Sequence, residues 1–293
     1  MSTLEFLAAP FVVSLIIAGI HAYLGVHVVE RGVIFVDLSL AQIAALGAVM
    51  AVLLGYDPHG GGAYWISLAF TVFGDVLFST IRGQRARIPQ EAIIGITYAV
   101  ASAATILAMS KATGEAEHLK DMLVGNILAV SWEDVSDTAI LYAFIGAFHW
   151  LFRRKFLSLS MEPGAAEAQG VSVRLWDFLF YASFGLVVTR SVAIAGVLLV
   201  FCYLIVPSVG AMLYADRIGP RLAIGWTMGT LVSALGIYLS LLLDLPTGAT
   251  MVCTFGAILV LMGVLRPLLG RWRATTVLAP AAASQSSNPG HGG

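Results

Sequence analysis

Seventeen acidic residues, six histidines and two cysteines are the side chains of this 293-residue sequence best able to hold a cation or move a proton. The informative ones lie inside long apolar runs. Asp37, with Ser39 and Gln42 close behind it, stands in the second run; Asp75 lies in the third; His21 and His149 lie in the first and fifth. An ionisable group at membrane depth is costly and usually faces a bundle interior or a water-filled path. Asp37, Ser39, Gln42 and Asp75 are therefore the candidate lining of a translocation pathway, with Asp37 the candidate metal ligand. The competing reading of either Asp is a hydrogen bond between helices, and that is the expectation for His21 and His149.

Other chemistry lacks its residues. No Gly-Lys dipeptide occurs, so there is no phosphate-binding P-loop, and neither His-Glu-x-x-His nor Gly-x-Ser-x-Gly is found. No span carries a facing pair of carboxylates. The chain is expected to be no enzyme and to bind no cofactor of its own. Gly60-Gly61-Gly62 reads as a flexible turn. Cys202 and Cys253 sit in apolar surroundings, unsuited to a disulfide scaffold or a thiolate metal site. A net charge of -1 argues against nucleic acid as a partner.

The elements that position these residues follow from composition. The chain is 59% hydrophobic and 11% charged, against about 25% charged in a soluble domain. Its mean hydropathy is +0.89. The runs are continuously apolar and do not alternate, which excludes a β-barrel. An all-α polytopic membrane protein follows. A span needs roughly 20 apolar residues, and nine segments qualify: 6–29, 33–56, 64–81, 90–110, 137–157, 175–190, 193–215, 222–243 and 249–268. The sixth and seventh divide at Thr189-Arg190-Ser191. No basic n-region precedes the first run, so a cleaved signal peptide is not expected.

Basic residues favour the cytoplasmic side. With 82–89 inside, 13 of the 16 fall inside: Arg31, Arg82, Arg85, Arg87, Arg153, Arg154, Lys155, Arg174, Arg217, Arg221, Arg266, Arg271 and Arg273. Lys111, Lys120 and Arg190 fall outside. The N-terminus is then outside and the C-terminus inside. Residues 1–270 read as the transmembrane domain and 271–293, rich in Ala, Ser, Pro and Gly, as a disordered cytoplasmic tail. Two connections exceed a turn: the acidic outer 111–136, with an apolar stretch Met122–Val130, and the inner 153–174. Loops of this length are commonly functional. Ala41, Ala44, Ala45, Gly47, Ala48 and Ala51 mark a close helix-packing face.

Three stretches carry a family resemblance. Gly196-Val-Leu-Leu-Val-Phe-Cys-Tyr-Leu-Ile-Val-Pro207-Ser-Val-Gly-Ala211 is the first, and Gly236-Ile-Tyr-Leu-Ser240 continuing through Asp244-Leu-Pro246-Thr-Gly248-Ala the second. The third is Met161-Glu-Pro-Gly-Ala-Ala166-Glu-Ala168-Gln-Gly170-Val. Together, and in this order, they resemble the permease subunits of ATP-binding-cassette importers for zinc, manganese and iron, over roughly residues 10–268. The outer run Met122–Asp134 is similar in kind.

The resemblance implies import of a divalent metal or its chelate across a bacterial inner membrane. It also implies a homodimer, an ATPase on separate subunits, and an extracytoplasmic metal-binding protein. Within it, Glu162, Ala166, Ala168 and Gly170, in a segment spanning about 160–172, would form the short helix that docks on the ATPase. Gly196, Pro207, Ser240, Asp244, Pro246 and Gly248 would be structural, the last supplying a positive φ to a tight outer turn. In one respect the sequence departs from that family. Many zinc and manganese members carry Asp-x-x-x-His in the second span; aligned on Gly47 those positions are Leu38 and Gln42, with Asp37 one place earlier, about 100° round the helix. A siderophore- or vitamin-type permease and an ion-coupled secondary transporter are the alternative readings.

Overall fold

A computed structural model describes residues 3–58, 60–82, 89–111, 127–162, 164, 166 and 171–277. The described chain is helical throughout. Its α-helices are α1 (Thr3–Glu30), α2 (Val36–Leu53), α3 (Gly61–Arg82), α4 (Gln90–Met109), α5 (Trp132–Leu151), α6 (Arg153–Met161), α7 (Val173–Ala195), α8 (Val197–Met212), α9 (Ile218–Leu243) and α10 (Thr247–Val277). A single 3₁₀ turn, Ile127–Ala129, precedes α5. Seven helices are long and apolar enough to cross a bilayer, or eight if α5 and α6 form one bent span; α8 is apolar but shorter.

Local chemistry sets the breaks. Ser131 and Asp134 close a capping box at the start of α5, each side chain bonding the other's backbone N–H, at 3.1 and 3.2 Å. Gly32, at φ +66°, ends α1 with paired bonds from Gly32 N to Val29 O and Val33 N to Val28 O. Gly55 does the same for α2.

The sixth and seventh spans do not divide at Thr189-Arg190-Ser191. Helix α7 runs through them to Ala195, and the break falls at Gly196, whose φ of +74° a residue with a Cβ rarely adopts. Likewise the turn between α9 and α10 takes its left-handed residue at Asp244, φ +52°, whereas Gly248 lies in the first turn of α10. The fifth span is not straight over 137–157: the helix starts at Trp132, and the chain bends by 74° after Leu151, where α6 leaves the direction of α5.

Of the long apolar helices α1, α2 and α7 are the most buried, their most apolar windows 61–67% buried against 22% for α4 and 28% for α10, and the short α8 is also largely interior. Helices α2, α3, α4 and α7 pack as one group and α1, α8, α9 and α10 as another, joined where α8 meets α2 and α7, with α5 resting on α1. Small residues allow close approach. At Gly47 a Cβ would stand 2.8 Å from the Cα of Ser67 on α3. At Gly25 it would collide with the Leu204 carbonyl and the Ser208 hydroxyl of α8.

Gly25→Ala is therefore expected to destabilise the protein by about 1–3 kcal/mol by forcing α1 from α8. Gly95→Ala, where a Cβ meets nothing within 4 Å, should leave the thermal unfolding midpoint in detergent unchanged or higher. Equal midpoints for the two variants would contradict this packing.

Candidate functional site

The first helix ends in a buried polar knot. Arg31 lies just beyond α1 with its side chain wholly buried, and its Nη1 donates to Asp177 Oδ1 of α7 at 2.8 Å. Its Nε donates to Ser160 Oγ of α6 at 2.8 Å, and its guanidinium sits 3.9 Å from the centre of the Phe180 ring. His27, one turn earlier on α1, bonds the same Ser160 hydroxyl through Nδ1 at 2.8 Å. His149 of α5 bonds Ser183 of α7 at 2.8 Å, approaches Tyr23 OH at 3.4 Å and stacks on Phe156 of α6 at 4.2 Å. Glu30 pairs with Arg221 of α9. Five helices thus meet at the end where α6 begins the 160–172 segment.

Glu162, exposed, caps α6, and its carbonyl accepts from Ala166 N at 3.1 Å. Ala166 is wholly buried. Ala168 and Gly170 lie outside the described residues.

At the opposite end Arg190 of α7 bonds Asp134 at 3.1 Å and Thr138 at 3.0 Å, both on α5. Below it a cavity of about 450 Å³ is lined by Ala44, Tyr64, Ser67, Thr189 and Arg190 among others. From Ser67 a polar stripe descends α3 at four-residue spacing: Thr71 donates to Ser67 O at 3.0 Å and accepts from Thr189 at 2.9 Å. Asp75 is next, 1% exposed. Its carboxylate presses on α7 at Gly185, where any Cβ would collide with Oδ2.

Asp37 is completely buried in the first turn of α2. Neither its oxygens nor those of Asp75, nor the hydroxyl of Ser39, meet a hydrogen-bond partner among the described residues. Cys202 of α8 lies in the neighbourhood of Asp37. Asp37 and Ser39 stand about 160° apart round α2, Gln42 is half-buried, and Asp75 faces α7. Among the described residues no group of three or more His, Cys, Asp or Glu could hold a metal ion.

His149 makes the expected bonds between helices; His21 instead bonds Ile17 O of its own helix at 2.9 Å. Sequence reasoning passed over His27, Arg31, Ser160 and Asp177. Their only signal was position at helix ends, where such residues are ordinarily solvated.

The structural residues of the resemblance have visible work. Pro207 interrupts the bonding of α8 beside the Gly25 contact. Ser240 bonds Leu245 O at 2.7 Å and Thr247 Oγ1 at 2.6 Å, tying α9 to α10 across the Asp244–Pro246 turn.

A family model, "ABC 3 transport family", matches residues 3–266. Among curated proteins, a manganese transport system membrane protein, MntC of Listeria monocytogenes, is 26% identical over 248 residues, 85% of this chain and 86% of that one. A chelated iron transport system membrane protein, YfeC of Yersinia pestis, is 27% identical over 240 residues, covering 82% and 79%. Among solved structures, PsaBC of Streptococcus pneumoniae superposes with a TM-score of 0.76 at 23% identity, covering 89% of this chain and 91% of that one. A metal-chelate type ABC transporter in an inward-facing conformation gives 0.70 at 16% identity, covering 88% and 85%.

Asp177→Ala should cost about 3–5 kcal/mol, because it removes the carboxylate that a buried guanidinium bonds. The double variant Arg31→Met/Asp177→Leu, which removes both charges, should recover most of that loss in thermal unfolding. A single variant as stable as wild type would show that the pair is not load-carrying.

Proposed function

The chain belongs to the ABC 3 transport family, and we propose that it is the membrane subunit of an ATP-driven importer of manganese or iron, free or chelated. One observation carries the reading: the family match runs through residues 3–266, from α1 to the last apolar turns of α10. The relatives named for manganese and chelated iron transport support the cargo. They also favour a metal over a siderophore- or vitamin-type substrate. Zinc, the third metal of the resemblance, is named for neither of these relatives.

In this reading the chain crosses the inner membrane of a bacterium nine times, counting α5 and α6 as one bent span and α8 as a short one. The N-terminus is outside. Two copies enclose the path, a separate ATPase docks on the 160–172 segment, and an extracytoplasmic binding protein delivers the ion. Ser160 supports the docking role, since it opens that segment and bonds both His27 of α1 and Arg31 just beyond it. Movement imposed on the segment would pass through Ser160 to α1, and through Arg31 to α7.

Asp37 is the metal-facing residue in this account. A carboxylate buried without a partner is costly unless protonated, hydrated or met by a cation. Gln42 supplies only a neutral oxygen, so the charge has to come from Asp37. In proteoliposomes holding this chain with its ATPase and binding protein, ATP should drive manganese or iron uptake. Asp37→Asn should keep assembly yet lose most uptake, at least tenfold, and Asp37→Glu should retain part. Near-normal uptake by Asn would make Asp37 structural; no ATP-dependent uptake of either metal by the wild type would overturn the function.

A further inference from the structure

A groove of about 540 Å³ runs between α1, α5 and α9, on the outside of the helix bundle. Its lining is almost wholly apolar. Along α5 it reaches from Ala139 to Trp150, about 16 Å at roughly 1.5 Å per residue, and Arg153 and Leu157 of α6 line it beyond the bend. One leaflet of hydrocarbon is about 15 Å deep, half of the roughly 30 Å core, so the groove spans a leaflet and the start of its headgroup layer.

Two glycines hollow out its floor. Gly19 on α1 and Gly146 on α5 both line it, and a Cβ at either meets nothing within 4 Å. The space is therefore not needed for helix contact. Trp226 forms one wall, its indole N–H bound to the Gly19 carbonyl at 2.9 Å. Trp150 stands nearer the polar end. Indoles sit by preference at the headgroup level.

The polar end is cationic. Arg153 lines the groove there, exposed, its guanidinium 4.9 Å from the Trp150 ring and one Nη1 on the Trp150 carbonyl. No carboxylate pairs with it among the described residues. Arg154 follows, also exposed, and the exposed Arg217 precedes Ile218 on the opposite wall. A second protein helix would fill the apolar length but leave this charge unanswered, whereas a phosphate answers it with strong charge-assisted hydrogen bonds.

We infer that this groove binds an anionic glycerophospholipid, one acyl chain lying over Gly19 and Gly146 and the phosphate held at Arg153. The assignment of that lipid to the cytoplasmic leaflet rests on the orientation proposed above; the binding itself does not. Lipid retention needs neither ATPase nor metal, so its failure and a failure of the transport reading are separate results.

Native mass spectrometry of the full-length chain, delipidated and then offered phosphatidylglycerol or phosphatidylcholine, tests it. Wild type should keep one phosphatidylglycerol per protomer and at least fivefold less phosphatidylcholine. Gly146→Leu, whose Cβ enters open space and whose side chain points into the groove lining, should keep none. Arg153→Gln should hold the two lipids equally. Equal retention of both lipids by wild type, or undiminished phosphatidylglycerol on Gly146→Leu, would overturn the inference. So would a Gly146→Leu variant that changes its oligomeric state with lipid retention intact, since the groove would then be a protein interface.

Discussion

The fold depends on what surrounds one buried guanidinium. Arg31 ends the first helix where no water reaches it, and the chain compensates with Asp177, the Ser160 hydroxyl and the face of Phe180. A buried ion pair is not by itself a large stabiliser, because desolvation consumes most of the attraction. What it does is fix position: Arg31 can stay buried only while α6 and α7 hold their partners against the end of α1. That requirement places the start of the 160–172 segment against the interior of the bundle and not merely beside it.

The partnered charges stand in contrast to the unpartnered ones. Arg31, Arg190 and Arg221 all meet carboxylates on other helices. Asp37 and Asp75, buried at least as deeply, meet none among the described residues. A family of membrane helices that pairs its cations so consistently has no packing reason to leave two carboxylates bare. In the proposed reading both belong to the path of the transported ion, Asp75 at the foot of the polar stripe on α3.

Much of this was legible in the sequence, and the losses share a cause. Continuous apolar runs located every long helix, because a span's hydropathy is a local property. Pairing across the chain is not local. Thr189-Arg190-Ser191 read as a break because a charge interrupts an apolar run, yet Arg190 is satisfied by Asp134, 56 positions earlier, and α7 continues. Gly196 was recognised as part of a motif but not as the break, since a glycine in an apolar run does not announce a positive φ. At the last turn the glycine was chosen for the left-handed residue, while Asp244, also tolerant of that conformation, takes it. Arg31 counted as one more inner-loop cation; only the folded chain shows it leaving the surface. Burial of Asp37 and Asp75 followed from their positions in apolar runs, but the stripe of Ser67, Thr71 and Thr189 that leads toward Asp75 did not, because two helices build it.

In the proposed transport cycle, motion at the 160–172 segment reaches α1 and α7 through Ser160. This coupling is tested by the number of metal ions imported per ATP hydrolysed in proteoliposomes, comparing wild type with Ser160→Ala. The variant should assemble with its ATPase and hydrolyse ATP at close to the normal rate, with ions imported per ATP falling at least fivefold. An unchanged ratio would contradict the account.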